Sequence, residues 1–283
     1  VLLVQETKLG DDDAPVLPFR LLGYDLLHHG EGRWNGVAIA SRVGIEEVVT
    51  NFGDGPVRSS GTGGGGSGGG GSGASAGAPG EEDFNPFDEA RMVSAVCGGV
   101  RVVSVYAPNG RVVDSPWYAG KLRWFERLAR WLAETQNPAT PLVIGGDFNV
   151  APTDEDVWNA AAAHGGTHVS EPERAAFRTL LDWGLVDTWR AANPGLRRFT
   201  WWDYRAGNFQ RNEGMRIDHL LASAPAAARV VAVEVDREAR KGTPTPSDHA
   251  PIILDLDEPG KSFDAGWSGS DERFAARRAA KRG

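Results

Sequence analysis

Asp147 and Asn149 stand two residues apart after a short apolar run, Pro141-Leu142-Val143-Ile144, with Gly145 and Gly146 between. The run predicts a strand that the glycines end. Alternate side chains of an extended chain point to opposite faces. The carboxylate and the carboxamide therefore share a face, and Phe148 turns into the core. Paired oxygens at the end of a buried strand suit a hard cation or a reacting water. The same residues also suit a Gly-Asp turn that caps a following helix. Three other strand edges carry polar groups. Glu6 follows the apolar run Val1–Val4, Asp218 lies in the strand Ile217–Ser223, and Asp248 with His249 precedes the strand Ile252–Leu256. Alone, Glu6 reads as a loop carboxylate and Asp248-His249 as a hydrogen-bonded turn. Together the four edges supply what metal-assisted phosphodiester hydrolysis needs: carboxylates for Mg²⁺, a base for the attacking water, and donors for charge on phosphorus.

A second stretch bears on substrate. Phe199-Thr200-Trp201-Trp202-Asp203-Tyr204-Arg205 interleaves aromatic and basic residues, and Arg211 and Arg216 follow. Rings stack on bases or sugars and guanidinium pairs with phosphate, so the stretch suits nucleic acid. A Trp-rich core loop is the other reading.

Strands and helices alternate around these residues. Further strands are expected over Phe19–Leu27, Gly36–Ser41, Ile45–Val49 and Arg229–Val235. Arg91–Cys97 and Val100–Tyr106 read as a hairpin about Gly98-Gly99. His28 and His29 are expected in a polar loop. Lys121–Glu134 reads as a packing helix with Leu122, Phe125, Leu128 and Leu132 on one face. Thr153 is placed to cap a short helix, and Glu171–Trp183 is helical up to Gly184. The stretch from Gly53 to about Gly80 is nearly all Gly, Ser and Ala. It reads as a flexible surface insertion in one domain spanning 1–259, natural or engineered. The polar, basic tail 260–283 either forms a helix from Ser270 or stays disordered.

The 283 residues, 41 % hydrophobic and 24 % charged, fit one large soluble domain. The net charge of -8 argues against a general polyanion binder and leaves room for a local basic groove. The single cysteine, Cys97, excludes an internal disulfide and fits a reducing compartment, so a cytoplasmic location is expected. No run is long and apolar enough to span a membrane. Val1 already lies within a strand and no initiator methionine precedes it, so the chain reads as a fragment and an upstream signal cannot be judged.

The chain resembles the exonuclease III branch of the exonuclease–endonuclease–phosphatase superfamily. The matching motifs are Gln5-Glu6-Thr7-Lys8, Tyr106-Ala107-Pro108-Asn109-Gly110, Gly146-Asp147-Phe148-Asn149, Trp201-Trp202-Asp203-Tyr204-Arg205, Arg216-Ile217-Asp218 and Ser247-Asp248-His249-Ala250-Pro251. The resemblance implies a DNase I-like α/β fold: a four-layer sandwich of two packed mixed sheets flanked by helices. It implies that Glu6 holds Mg²⁺, or Mn²⁺ in its place, with Asp147, Asn149, Asp248 and His249 close to the metal. Asp147 would activate water, positioned by Asn149. His249, oriented by Asp218, would contact the scissile phosphate. Tyr106 would bind phosphate or stabilise the departing group. Asn109, Trp201, Arg205 and Arg216 would contact DNA, with Trp201 lining the abasic pocket. The implied partner is double-stranded DNA with abasic sites or 3′ ends, and the implied state is a monomer. The implied reactions are 3′→5′ exonuclease, incision 5′ to abasic sites and 3′-phosphate removal.

Two departures qualify the resemblance. The family opens with a core strand and helix carrying a Trp-Asn motif, and no residue here replaces that Asn. The Gly-rich insertion is the other. A phosphodiesterase or phosphatase of the superfamily acting on a non-DNA substrate, and a truncated, inactive DNA-binding form, are the competing readings.

Overall fold

The computed structural model describes residues 1–53 and 85–282, so the Gly-rich stretch of the insertion lies outside the described residues. Eleven strands are described: β1 (Leu2–Gln5), β2 (Asp25–His29), β3 (Val37–Ser41), β4 (Glu46–Thr50), β5 (Met92–Cys97), β6 (Val100–Tyr106), β7 (Leu142–Asp147), β8 (Leu185–Asp187), β9 (Asp218–Ser223), β10 (Val230–Val235) and β11 (Ile252–Leu256). The helices are α1 (Val16–Leu21), α2 (Pro116–Thr135), α3 (Ala160–Ala163), α4 (Glu171–Asp182), α5 (Thr188–Ala192), α6 (Asn208–Arg211), α7 (Ala224–Ala227) and α8 (Ser270–Arg282).

One mixed sheet has the order β4-β5-β6-β7-β9-β8, in which only the β6–β7 pair is parallel. The long helix α2 makes that parallel crossover, as a parallel pair requires. Its apolar face meets the sheet through Trp124, Phe125, Leu128 and Leu132, all buried, and α4 adds Phe177 and Leu180. The other sheet face is covered by two antiparallel pieces, β1-β3-β2 and β10-β11. Val37 and Ile39 from β3 pack there against Val93, Val102 and Val143. Helices over one sheet and a second layer of strands behind it give the expected sandwich of packed sheets, except that the second layer is antiparallel and in two pieces.

Those pieces do not meet. The outer edges of β1 and β11 carry no strand among the described residues, and both edges line a cavity of about 1120 Å³. Val102 and Val143 floor it, and one end opens onto Asp147, Asp218 and His249.

Two local expectations need correction. Residues 16–21 form α1, with Pro18 in the first turn where its missing N–H is harmless, and the strand begins only at Asp25. His28 and His29 end that strand instead of lying in a loop. The His28 ring bonds Thr7 Oγ1 and Asp11 Oδ1, each at 2.8 Å.

Candidate active site

Register builds the site. Tyr106 on β6 is opposite Asp147 on β7, and Asp147 is opposite Asp218 on β9, so three polar residues form one row across three central strands. Contrary to the expectation from sequence, the glycines before Asp147 do not end the strand; they let it pass. A Cβ on Gly145 would lie 2.4 Å from Leu220 Cδ2, and one on Gly146 would lie 2.0 Å from Val105 O. Phe148 is fully buried among Phe125, Phe177 and His219. Asn149 then leaves the strand at φ 53°, a left-handed turn that Asn tolerates. This puts its carboxamide back on Asp147. Asn149 N donates to Asp147 Oδ1 at 2.8 Å and Nδ2 to Oδ2 at 3.1 Å.

Asp147, Asp218 and His249 offer ligand-type atoms that all lie within 4.8 Å of one another. His249 Nδ1 donates to Asp218 Oδ2 at 2.8 Å and Oδ1 at 3.0 Å, which leaves Nε2 as its free nitrogen. Burial pulls the His249 pKa down, but Asp218 by charge and hydrogen bond, with Asp147 and Asp248, lifts it to about 10. The ring is therefore an imidazolium at neutral pH. Asp147 moves the other way from an ordinary carboxylate: burial and then the nearby Asp218 charge raise its pKa well above the usual range. The pair is a base beside an acid, separated by environment.

Glu6 lies outside that tight group, at the cavity rim. It is 2.8 Å from Lys8 Nζ. Burial would raise its pKa, but hydrogen bonds from Lys8 and from Tyr106 keep it lowered. Burial, then the carboxylates Glu6 and Asp147, push the Tyr106 phenol up, so it is a neutral donor. Asp248 also faces the cavity, and its Oδ2 accepts from Trp201 Nε1 at 3.1 Å. An oxygen-rich rim of this kind fits a hard divalent cation.

Of the residues expected to meet DNA, Asn109 and Arg205 are exposed and Trp201 is half-buried beside the site. Asn109 Nδ2 donates to Asn149 Oδ1 at 3.1 Å. Arg205 pairs with Asp203 at 2.6 Å. Arg216 is a correction. It is 1 % exposed, with Nε on Asp156 at 2.8 Å and Nη1 and Nη2 on Asp187 at 3.1 and 2.8 Å. It has no surface to offer a phosphate.

The chain matches the Endonuclease/Exonuclease/phosphatase family over residues 1–249. It belongs to that family. Exodeoxyribonuclease III of Haemophilus influenzae is 28 % identical over 263 residues, 89 % of this chain and 88 % of that one. An AP endonuclease structure from Archaeoglobus fulgidus is 32 % identical with a TM-score of 0.77, covering 91 % of this chain and 88 % of that one. The 3′ phosphatase NExo from Neisseria, solved bound to product DNA hairpin, is 35 % identical with a TM-score of 0.75, covering 91 % and 88 %.

This family member also has a buried support that sequence reading missed. Lys121, on the apolar face of α2 and fully buried, donates to Asn149 O at 2.6 Å and ion-pairs with Glu173. His168 Nδ1 donates to the same carbonyl at 2.6 Å. Two signals were present: Lys121 sits one turn before Trp124 and Phe125 on the helical stripe, and Ser170-x-x-Glu173 is a capping box. On the other side, Arg216 Nη1 donates to His219 Nδ1 at 2.9 Å, so His219 Nε2 donates to Val150 O, also at 2.9 Å.

That last pair predicts a pH dependence. Burial, then the Arg216 charge, lowers the His219 pKa from 6.5 to about 4. The folded state resists the proton more than the unfolded one. Its contribution is therefore complete above pH 6.5 and is lost as pH falls to about 4, up to about 3 kcal/mol for a fully buried group. Urea midpoints at pH 7 and pH 4.5 measure it. His219→Gln, which keeps one donor and one acceptor, should flatten that loss; an equal loss in both proteins would contradict it.

Proposed function

We propose that this chain is a divalent-metal-dependent DNA-repair nuclease that removes nucleotides 3′→5′ from duplex DNA, incises 5′ to abasic sites and removes 3′ phosphates. The observation that carries the reading is one sheet edge holding a buried basic carboxylate, Asp147, within 4.8 Å of an imidazolium, His249, beside the aromatic Trp201 loop. The family relatives named above act in the same class.

Asp147 takes the proton of the attacking water as its oxygen bonds to phosphorus. Asn149 fixes both Asp147 oxygens through its backbone and side-chain nitrogens, which aims the free lone pairs at the cavity. His249 Nε2 donates to a non-bridging phosphate oxygen, held by Asp218 at Nδ1. The Tyr106 phenol donates to the departing 3′ oxygen as its bond to phosphorus breaks. Trp201 walls the pocket for the abasic sugar, and Asn109 and Arg205 contact the DNA strand. Glu6 and Asp248 would hold Mg²⁺, or Mn²⁺ in its place. When bound, the cation supplies positive charge to the phosphate and the leaving oxygen. The protein acts as a monomer.

Asp218→Asn tests the charge logic. Without the carboxylate, His249 returns toward its ordinary pKa of 6.5, so the variant loses its imidazolium as pH rises through neutrality while the parent keeps it. The expected defect in kcat is about 10- to 100-fold at pH 8 and smaller at pH 6. A defect of the same size at both values would contradict the assignment.

The substrate class is tested by product analysis on an end-labelled duplex with one abasic site, alongside a glycerophosphodiester and an inositol phosphate. A single cut 5′ to the abasic site, with 3′→5′ shortening, is expected. Faster turnover of either non-nucleic substrate would overturn the DNA reading.

A further inference from the structure

The end of the chain carries no residue of the proposed chemistry, yet it is built into the substrate side. Trp267 is buried and its Nε1 donates to Val235 O at 2.7 Å. Phe274 on α8 is 2 % exposed and enters the aromatic cluster that contains Trp202 and Phe209. Trp202 meets Phe209 edge-on at 5.2 Å and lies tilted against Trp267 at 6.4 Å. The Arg237 guanidinium fills the middle, 4.0 Å from the Phe209 ring and 4.7 Å from that of Phe274.

The segment this cluster supports holds itself through a few side-chain bonds, Trp202 Nε1 to Asn212 Oδ1 at 3.1 Å and Arg211 Nη2 to Asn208 Oδ1 at 2.9 Å and Glu213 Oε2 at 2.7 Å, and its backbone is short of partners. A four-residue helix such as α6 is too short to be stable alone. It is flanked by left-handed residues, Ala206 and Gly207 before it and Asn212 after it. Its carbonyls are capped from outside. Phe209 O receives Arg237 Nη2 at 2.8 Å, Gln210 O receives Arg277 Nη1 at 3.0 Å, and Arg211 O receives Arg278 Nη1 at 2.9 Å. Three consecutive carbonyls thus each meet a different arginine, two of them on α8. The same segment begins with Trp201 beside the site and Tyr204 at the cavity mouth.

We propose that residues 264–280 form a brace that holds the recognition loop Trp201–Asn212 in its DNA-competent shape, with Arg277 and Arg278 as positioning residues. The inference rests on the DNA reading of that loop. With the brace loosened, only a fraction of molecules present the competent loop, and apparent affinity falls by that fraction. Asp147 and Asp218 lie on β7 and β9. The Trp201 end of the loop stays tied to the Asp248–His249 segment by the Trp201–His249 bridge and the bond from Trp202 N to Asp248 O at 3.1 Å, so loosening is confined to the α6 end and the catalytic geometry is kept.

The test uses the full chain carrying R277M and R278M together, which keeps the aliphatic stems and removes the donors, and the matching R277K/R278K pair. Hydrogen exchange is read at Asn212 and Glu213, whose amides bond Phe209 O and Asn208 O. Exchange should quicken about tenfold in the Met pair, with thermal midpoint unchanged, and recover in the Lys pair. For an abasic duplex, KM should rise about five- to tenfold with kcat unchanged. Unaltered exchange, or a fall in kcat at constant KM, would overturn the brace. If the parent chain does not cleave DNA, the DNA reading fails, and exchange alone decides whether the brace exists.

Discussion

Asp147→Asn lowers turnover of an abasic duplex by about 10²- to 10⁴-fold, the range expected when a positioned general base is removed. KM changes little, because a carboxamide of the same shape keeps the pocket. Nor should the fold suffer. Asp147 is held near Asp218 in a buried site, where burial and like charge both oppose its ionisation. Replacing it removes that conflict, so the thermal midpoint should stay level or rise. A loss of activity with stability held or raised marks a residue kept for chemistry at some expense to the fold. Single-turnover incision and a thermal melt on the same preparation check both halves. A variant that melts far below the parent would assign Asp147 to folding instead.

Arg216→Met has the opposite profile. Its guanidinium is buried and bonded to Asp156, Asp187 and His219, and Arg190 Nη2 also reaches Asp156 Oδ1 at 2.6 Å. Burial would lower the Arg216 pKa, but Asp187 and Asp156 keep it raised, and the same network takes Asp156 down to about 2. Removing the cation leaves Asp187 without its guanidinium and Asp156 with Arg190 alone, which costs about 3–5 kcal/mol. Against a typical stability of about 5–15 kcal/mol, this leaves the chain close to unfolding at physiological temperature. It also frees His219 from its tautomer, so Val150 O, just past the Asp147 loop, loses its anchor. Urea unfolding followed by circular dichroism measures the effect. A midpoint equal to that of the parent, with DNA affinity alone reduced, would return Arg216 to the DNA face.

The contrast between these two residues shows what was legible in the chain. The gathering of Asp147, Asn149, Asp218 and His249 at one edge could be anticipated because a polar strand edge shows in local pattern: an apolar run, glycines, then oxygen or nitrogen side chains. Tyr106 follows from the hairpin that delivers it to the same edge. Arg216 misled because its partners are remote, Asp187 at 29 residues and Asp156 at 60, and a basic residue near aromatics looks the same whether paired inside or free outside. Lys121 was legible in principle, since it falls on the buried stripe of α2, but a lysine at one apolar position is usually read as snorkelling. The short helix α1 reads as a strand in the sequence because six residues hold less than two helical turns of pattern. The tail was readable as a helix from its acidic start and basic end. Its docking onto α6 was not, because Phe274 and Trp267 are isolated aromatics in polar sequence.

The two-piece layer has a similar origin. Each of β1, β3, β10 and β11 is a short apolar run with no marker for its neighbour. Which edges pair, and that β1 and β11 face one cavity, is set by packing on the six-stranded sheet.

The central claim is that one edge of that sheet hydrolyses the phosphodiester 5′ to an abasic site with Asp147 as base and a divalent cation at the rim. It is tested most directly by incision of a duplex carrying a single synthetic abasic site, in Mg²⁺ and in excess chelator, with Asp147→Ala alongside. The account predicts a 5′ cut with 3′→5′ shortening in Mg²⁺, and neither in chelator nor with the variant. Incision that survives the chelator, or that Asp147→Ala performs as well as the parent, would contradict it.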